Sequence, residues 1–216
     1  MNIGKFLFLT IHSKPIVSSF TELEKVNPGL SQVWKNYTSY VYNDKMGKLD
    51  ESTYEVSWMD KASHVPEFCS IDSICLGYLK DNKLETKELN GSESDILTDF
   101  NGILNKVAKN DWIICGWNIK NYDIPLLNKR FFINRLKPNS VIPKNDTKPW
   151  EMKSIFDMKE FWNGTASRGI NSIDALYYSV CQDPNLDLFE TKDEMVNCRN
   201  RITKMFNITK ELSNIE

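Results

Sequence analysis

The chain has 216 residues, 41% of them apolar, 12% aromatic and 26% charged, which is the balance of a folded globular protein and excludes the aromatic-poor, highly charged composition of disordered chains. A formal net charge of −2 excludes a global positive field that would draw the protein onto a polyanion, so any nucleic-acid contact must come from a local patch. No apolar run approaches the ~20 residues that cross a bilayer, and Phe6 to Ile11 is shorter than a secretory h-region, so a cytoplasmic protein with no membrane partner is expected.

In chain order, the short apolar run 5–11 (KFLFLTI) reads as a buried strand. From Ser18 to Tyr42 the pattern predicts a helix plus connection, with a capping box at Thr21 and Glu24. Asn43 to Glu55 reads as a polar bridge. Residues 70–79 and 83–89 flank the turn pair Asp81-Asn82, which predicts a β-hairpin. Ser92 precedes a helix in which Ile96, Leu97, Phe100, Ile103, Leu104 and Val107 recur at helical spacing. A second apolar run, 112–118, predicts a strand, and 124–136 a helix with Pro125 in its first turn. Residues 137–150 hold three prolines and read as a loop, and 154–162 as a short strand or helix. Two further helices are expected, from the N-cap Ser172 to Val180 and from Lys192 to Leu212. The five cysteines contain no C-x-x-C pair and read as reduced core residues. The sequence holds no internal repeat and no composition break, so one α/β domain over 1–216 is expected.

The segment CGWNIKNYDIPLLNKRFFINRL (115–136) places Asn118, Tyr122 and Asp123 at the junction of a buried strand and a helix. It resembles the second motif of the DEDD-type 3′-5′ exonucleases of the RNase H-like (DnaQ-like) fold, most closely the predicted PolB-like 3′-5′ exonuclease family. Pro66-Glu67-Phe68, Lys148-Pro149-Trp150-Glu151, Phe156-Asp157-Met158-Lys159 and Ser172-Ile173-Asp174-Ala175-Leu176 follow the same order, so the likeness covers most of the chain. It implies a mixed sheet flanked by helices.

Enzymes of that family cleave a phosphodiester with two divalent metals held by four carboxylates. By the resemblance, the Asp and Glu of the first strand fall here on Thr10 and His12, and the third carboxylate is Asp123. A Tyr and an Asp of the last helix, with three residues between them, fall on Asn197 and Arg201. One carboxylate of four remains, so no metal cofactor is expected, and Asp123 is the residual metal candidate. Asp157, Asp174, Asp193 and Glu194 lie near, but their family positions are not ligands. The resemblance thus implies a pseudo-nuclease, with Mg²⁺ or Mn²⁺ required only if a remodelled site keeps it an active exonuclease. Arg201 could reach Asp123 and replace the missing cation, in which case Asp123→Ala destabilises the fold.

Two basic clusters are candidates for phosphate contact: Lys129, Arg130, Arg135 and Lys137, and Arg199, Arg201 and Lys204. Trp117 and Tyr122, next to Asn118, could stack bases. The plainer alternative makes the charges a solvated helix face and the aromatics core. The expected partners are single-stranded DNA or RNA, or a protein. A structural or assembly role, viral (phage-like) included, is a third alternative, compatible with the Asn-, Lys- and Ile-rich composition.

Overall fold

A computed structural model describes residues 2–42, 50–164, 171–183, 188 and 191–215. The chain divides into two compact units, one formed by Met1–His12 with Ile71–Glu216 and the other by Ser13–Ser70.

The first unit carries a five-stranded sheet of order β3-β2-β1-β4-β5, made of β1 (Phe6–Pro15), β2 (Cys69–Lys80), β3 (Lys83–Asn90), β4 (Ile113–Gly116) and β5 (Ile155–Asp157), with β1 and β2 running on into the second unit. The sheet is mixed: β1 pairs parallel with β4, Phe8 opposite Cys115, and β4 pairs parallel with β5, Cys115 opposite Phe156. The β2–β3 hairpin is antiparallel and closes with Lys80 opposite Lys83. Asp81 and Asn82 both take left-handed φ values (49° and 60°), as a two-residue hairpin turn demands and as short polar side chains tolerate.

Period-two alternation along β1 sends successive side chains to opposite faces of the sheet. Phe6 and Phe8 join a core with Cys198, Ile202, Met205 and Ile208 of α8 (Glu194–Ile215) and Leu176 and Tyr177 of α7 (Ile173–Val180). On the other face, Leu7 and Leu76 meet Ile103 and Val107 of α4 (Glu93–Lys109). The helix α5 (Asp123–Ile133) follows β4 and buries Ile124, Leu126, Leu127 and Phe131. After a proline-rich loop, β5 runs straight into α6 (Met158–Asn163), so 154–162 is a strand and then a helix. This α/β arrangement of a mixed sheet with flanking helices is the RNase H-like class expected from the sequence.

Close packing of α8 on the sheet depends on Gly77. A Cβ at this position would overlap the Ile202 γ-methyl and sit 3.3 Å from a Leu84 methyl. Gly77→Ala is therefore expected to cost about 1–3 kcal/mol by overpacking. Urea melts of wild type and variant measure this cost, and an unchanged midpoint would contradict direct seating of α8 on β2.

Among the described residues, the second unit holds three α-helices: α1 (Phe20–Val26), α2 (Pro28–Tyr42) and α3 (Glu51–Lys61). They enclose Phe20, Leu23, Trp34, Trp58, Ala62 and Phe68. The rings of Trp58 and Phe68 stand edge-on to Trp34 at 5.0 and 4.8 Å. The Trp34 Nε1–H donates to the Ser57 hydroxyl at 3.0 Å, and the Trp58 Nε1–H to the Val17 carbonyl at 3.2 Å, so neither buried indole lacks an acceptor.

The structure departs from the sequence expectations at two helix starts. The cap of α1 is Ser19, whose hydroxyl accepts from the Glu22 amide, while Glu22 in turn accepts from the Ser18 amide and hydroxyl. The cap thus falls two residues before the expected Thr21. The expected polar bridge is in its second half a helix, begun by a capping box between Asp50 and Thr53; its first half, 43–49, lies outside the described residues. No helix among the described residues is long and apolar enough to cross a membrane.

Candidate functional site

Three sequence-predicted positions meet in the first unit around a cavity of about 270 Å³: Thr10 of β1, Asp123 at the start of α5 and Arg201 of α8. Each is placed by a local rule. Thr10 follows Phe6 and Phe8 on the same face of β1. The chain turns out of β4 at Asn118, which has a left-handed φ of 58° and whose carbonyl accepts from the amides of Asn121 and Tyr122. That turn delivers Asp123 to the first position of α5, where the helix dipole favours a carboxylate. Arg201 and Met205, one helical turn apart, present the same face of α8 to the cavity. Trp117 and Tyr122, both half-buried, line it too, as does Asp174.

Asp123 is only 7% exposed. Burial, helped by the neighbouring Asp157 charge, pushes its carboxyl up to about 7. Its own amide, the Arg201 guanidinium and the Ile11 amide pull in the other direction without prevailing. The expected electrostatic replacement of a cation by Arg201 is therefore incomplete, because desolvation outweighs it.

Asp157, a nearby carboxylate with no ligand role implied by the resemblance, organises the turn. Its Oδ1 accepts from the amides of Asn118 (3.0 Å), Lys159 (3.0 Å) and Glu160 (3.2 Å), and its Oδ2 from the Lys120 amide (3.1 Å). It caps α6 and clamps residues 118–120 at once. The signal available in the sequence was its place directly before the helix MKEFWN, an N-cap position.

The remaining predicted residues are engaged elsewhere. His12 does not line the cavity: its Nδ1 lies 3.3 Å from Asp72 Oδ2 and its Nε2 3.9 Å from Glu194 Oε2. Asn197 is buried and bonds Thr191 both ways, accepting from the Thr191 amide (2.7 Å) and donating to its carbonyl (2.9 Å), so it pins the segment before α8. Asp193 caps that helix through the amides of Met195 and Val196. Arg130, expected at a phosphate, is 5% exposed and paired with Glu93. Lys204, expected likewise, is 1% exposed and donates to Asp174. Arg199 is exposed and reaches Glu88 at 3.4 Å. Lys129 is half-buried on α5. Of the two basic clusters, only Arg201 lines the cavity. Among the described residues, no three His, Cys, Asp or Glu side chains gather at metal-binding distance.

No protein-family model and no curated protein sequence matches the chain. Among solved structures it is similar to the family B DNA polymerase from the hyperthermophilic archaeon Pyrobaculum calidifontis, with a TM-score of 0.50 and 12% sequence identity. The likeness covers 97% of this chain and 24% of the polymerase, so the chain spans about a quarter of that protein's length. At this identity the similarity establishes a shared fold.

Proposed function

We propose that this protein is an exonuclease-type fold that has lost its two-metal centre and holds single-stranded nucleic acid without cutting it. The observation that carries this reading is the guanidinium of Arg201 facing one cavity with Thr10 and Asp123. Two divalent cations need several anionic oxygens, whereas the carboxyls lining this cavity are Asp123, which is easily protonated, and Asp174, and they share it with a permanent cation. Neither nearby carboxylate compensates. Both Asp157 oxygens already accept backbone amides, and Asp174 is tied to the Lys204 ammonium. The residues therefore do not fit a metal pair.

The same donor set suits a phosphodiester. A guanidinium binds phosphate oxygens through paired N–H donors, and the protonated form of Asp123 adds no repelling charge. Trp117 and Tyr122 supply flat faces on which a base stacks whatever its identity. The polymerase likeness, a fold shared with a protein that handles DNA, supports nucleic acid as the ligand class.

Fluorescence anisotropy with single-stranded DNA and RNA oligonucleotides across a salt series tests this. Binding should weaken as salt rises, Arg201→Ala should reduce the salt slope by about one, and Trp117→Ala should cost about 1–3 kcal/mol. Absence of binding at low salt, or binding indifferent to both substitutions, would overturn it.

A further inference from the structure

We infer that the end of α5 and the loop after it form a docking surface for an acidic peptide segment of a partner protein, gripped by apolar anchors inside a lysine rim. Two hollows adjoin here and share Lys137. One, of about 610 Å³, is lined by Phe132, Ile133, Arg135 and Leu136, and the other, of about 690 Å³, includes Pro138, Val141, Ile142, Pro143 and Met152. Phe132 is 84% exposed and Ile133 47%, neighbours at the last turn of a helix whose other face is core. Such a pair beside apolar hollows is what an interface anchor requires, and it costs solubility when left uncovered.

Charge fixes the kind of occupant. Between Asn128 and Ser154 the sequence holds seven lysines and arginines against only Asp146 and Glu151, in a chain whose net charge is −2. Arg130 is spent on Glu93, but Lys137, Lys144 and Lys153 line the larger hollow and Arg135 the smaller. Among the described residues, no carboxylate pairs with any of these four. Glu151, the acid lining the larger hollow, accepts from the Lys148 amide and is thereby committed to its own turn. A ligand with negative charge meets a complementary rim, and one that also carries apolar side chains fills the floor.

Nucleic acid fits less well. Single strands are held by successive aromatic platforms that take base faces, whereas the larger hollow is floored by aliphatic side chains and proline and Phe132 is the one aromatic side chain lining either hollow. Acidic residues interleaved with Leu, Ile or Phe match both the floor and the rim. The surface lies in the same unit as the Arg201 cavity but shares no lining residue with it.

The test is selection of a random display library of peptides of about 15 residues against the full chain, followed by anisotropy with the enriched peptides. Enriched sequences should combine Asp or Glu with apolar anchors. Lys137→Glu with Lys144→Glu should weaken them at least about tenfold, and Phe132→Ser should do the same through the anchors. Thermal melts should match wild type, since these side chains are exposed. Failure to enrich any peptide, enrichment without the acidic and apolar pattern, or affinity unchanged in both variants would overturn the proposal. A single-stranded oligonucleotide that binds with the same dependence on Lys137 and Lys144 but none on Phe132 would reassign the surface to phosphate. Self-association abolished by Phe132→Ser would reassign it to a second copy of the chain.

Discussion

Replacing Arg130 by methionine is expected to destabilise the protein by about 3–5 kcal/mol, the cost of leaving a buried charge without its partner. The Arg130 Nε donates to Glu93 Oε1 at 2.7 Å and an Nη to Oε2 at 2.5 Å. Glu93 also accepts from the Ile71 amide (2.7 Å) and the Asn134 side chain (2.8 Å), so one carboxylate ties the start of β2, the first turn of α4 and the last turn of α5. Burial alone would raise the Glu93 carboxyl, but the Arg130, Asn134 and Ile71 hydrogen bonds outweigh it and hold it below its ordinary value. This contribution is present above the unfolded pKa of a glutamate and is lost as pH falls through the lowered folded value. In Arg130→Met the sign reverses: an unpaired buried Glu93 takes up a proton readily, so the deficit shrinks in acid. Urea melts at neutral and acid pH give both numbers. A deficit under about 1 kcal/mol at neutral pH would show that Arg130 is not structural.

The second large effect concerns Asp123 and has the opposite direction. With a folded pKa of about 7 against an ordinary 3.8, the folded protein keeps a proton that the unfolded chain has lost. Stability therefore falls as pH rises through that window and levels off above it, by a total on the order of 4 kcal/mol. Asp123→Asn cannot ionise, so it should remove this component of the slope and exceed wild type in stability at pH above about 8. This reverses the expectation of a stabilising Asp123–Arg201 pair. Melts of both proteins across that range decide it; parallel curves would mean that Asp123 is charged throughout and adequately partnered.

What the sequence made legible was periodic or local. The Asp81-Asn82 hairpin, the amphipathic α4 with its Ser92 cap, and the β4–α5 junction carrying Asp123 all follow from patterns within a few residues. The helix α3 escaped because it buries little beyond Ser57 and Trp58, leaving no apolar stripe; the Asp50–Thr53 box was its available signal. Within the site, alternation along β1 and one turn of α8 suffice to bring Thr10 and Arg201 to Asp123. The fates of Arg130 and Lys204 were not readable, since their partners Glu93 and Asp174 lie 37 and 30 residues away. A basic residue in a basic run reads as solvated until the fold supplies its acid. Asp157 was visible as a residue but not as the acceptor of four amides from two segments.

The loss of catalysis is tested most directly by incubating 3′-labelled single-stranded DNA and RNA with the purified protein in Mg²⁺ and in Mn²⁺, beside Asp123→Ala as a control for contaminating nuclease. The result expected is no shortening of either strand above that control, together with retention of the strand in a native gel. Shortening by wild type that disappears in Asp123→Ala would mean that a working metal site is assembled around the one remaining carboxylate, and would contradict the pseudo-nuclease reading.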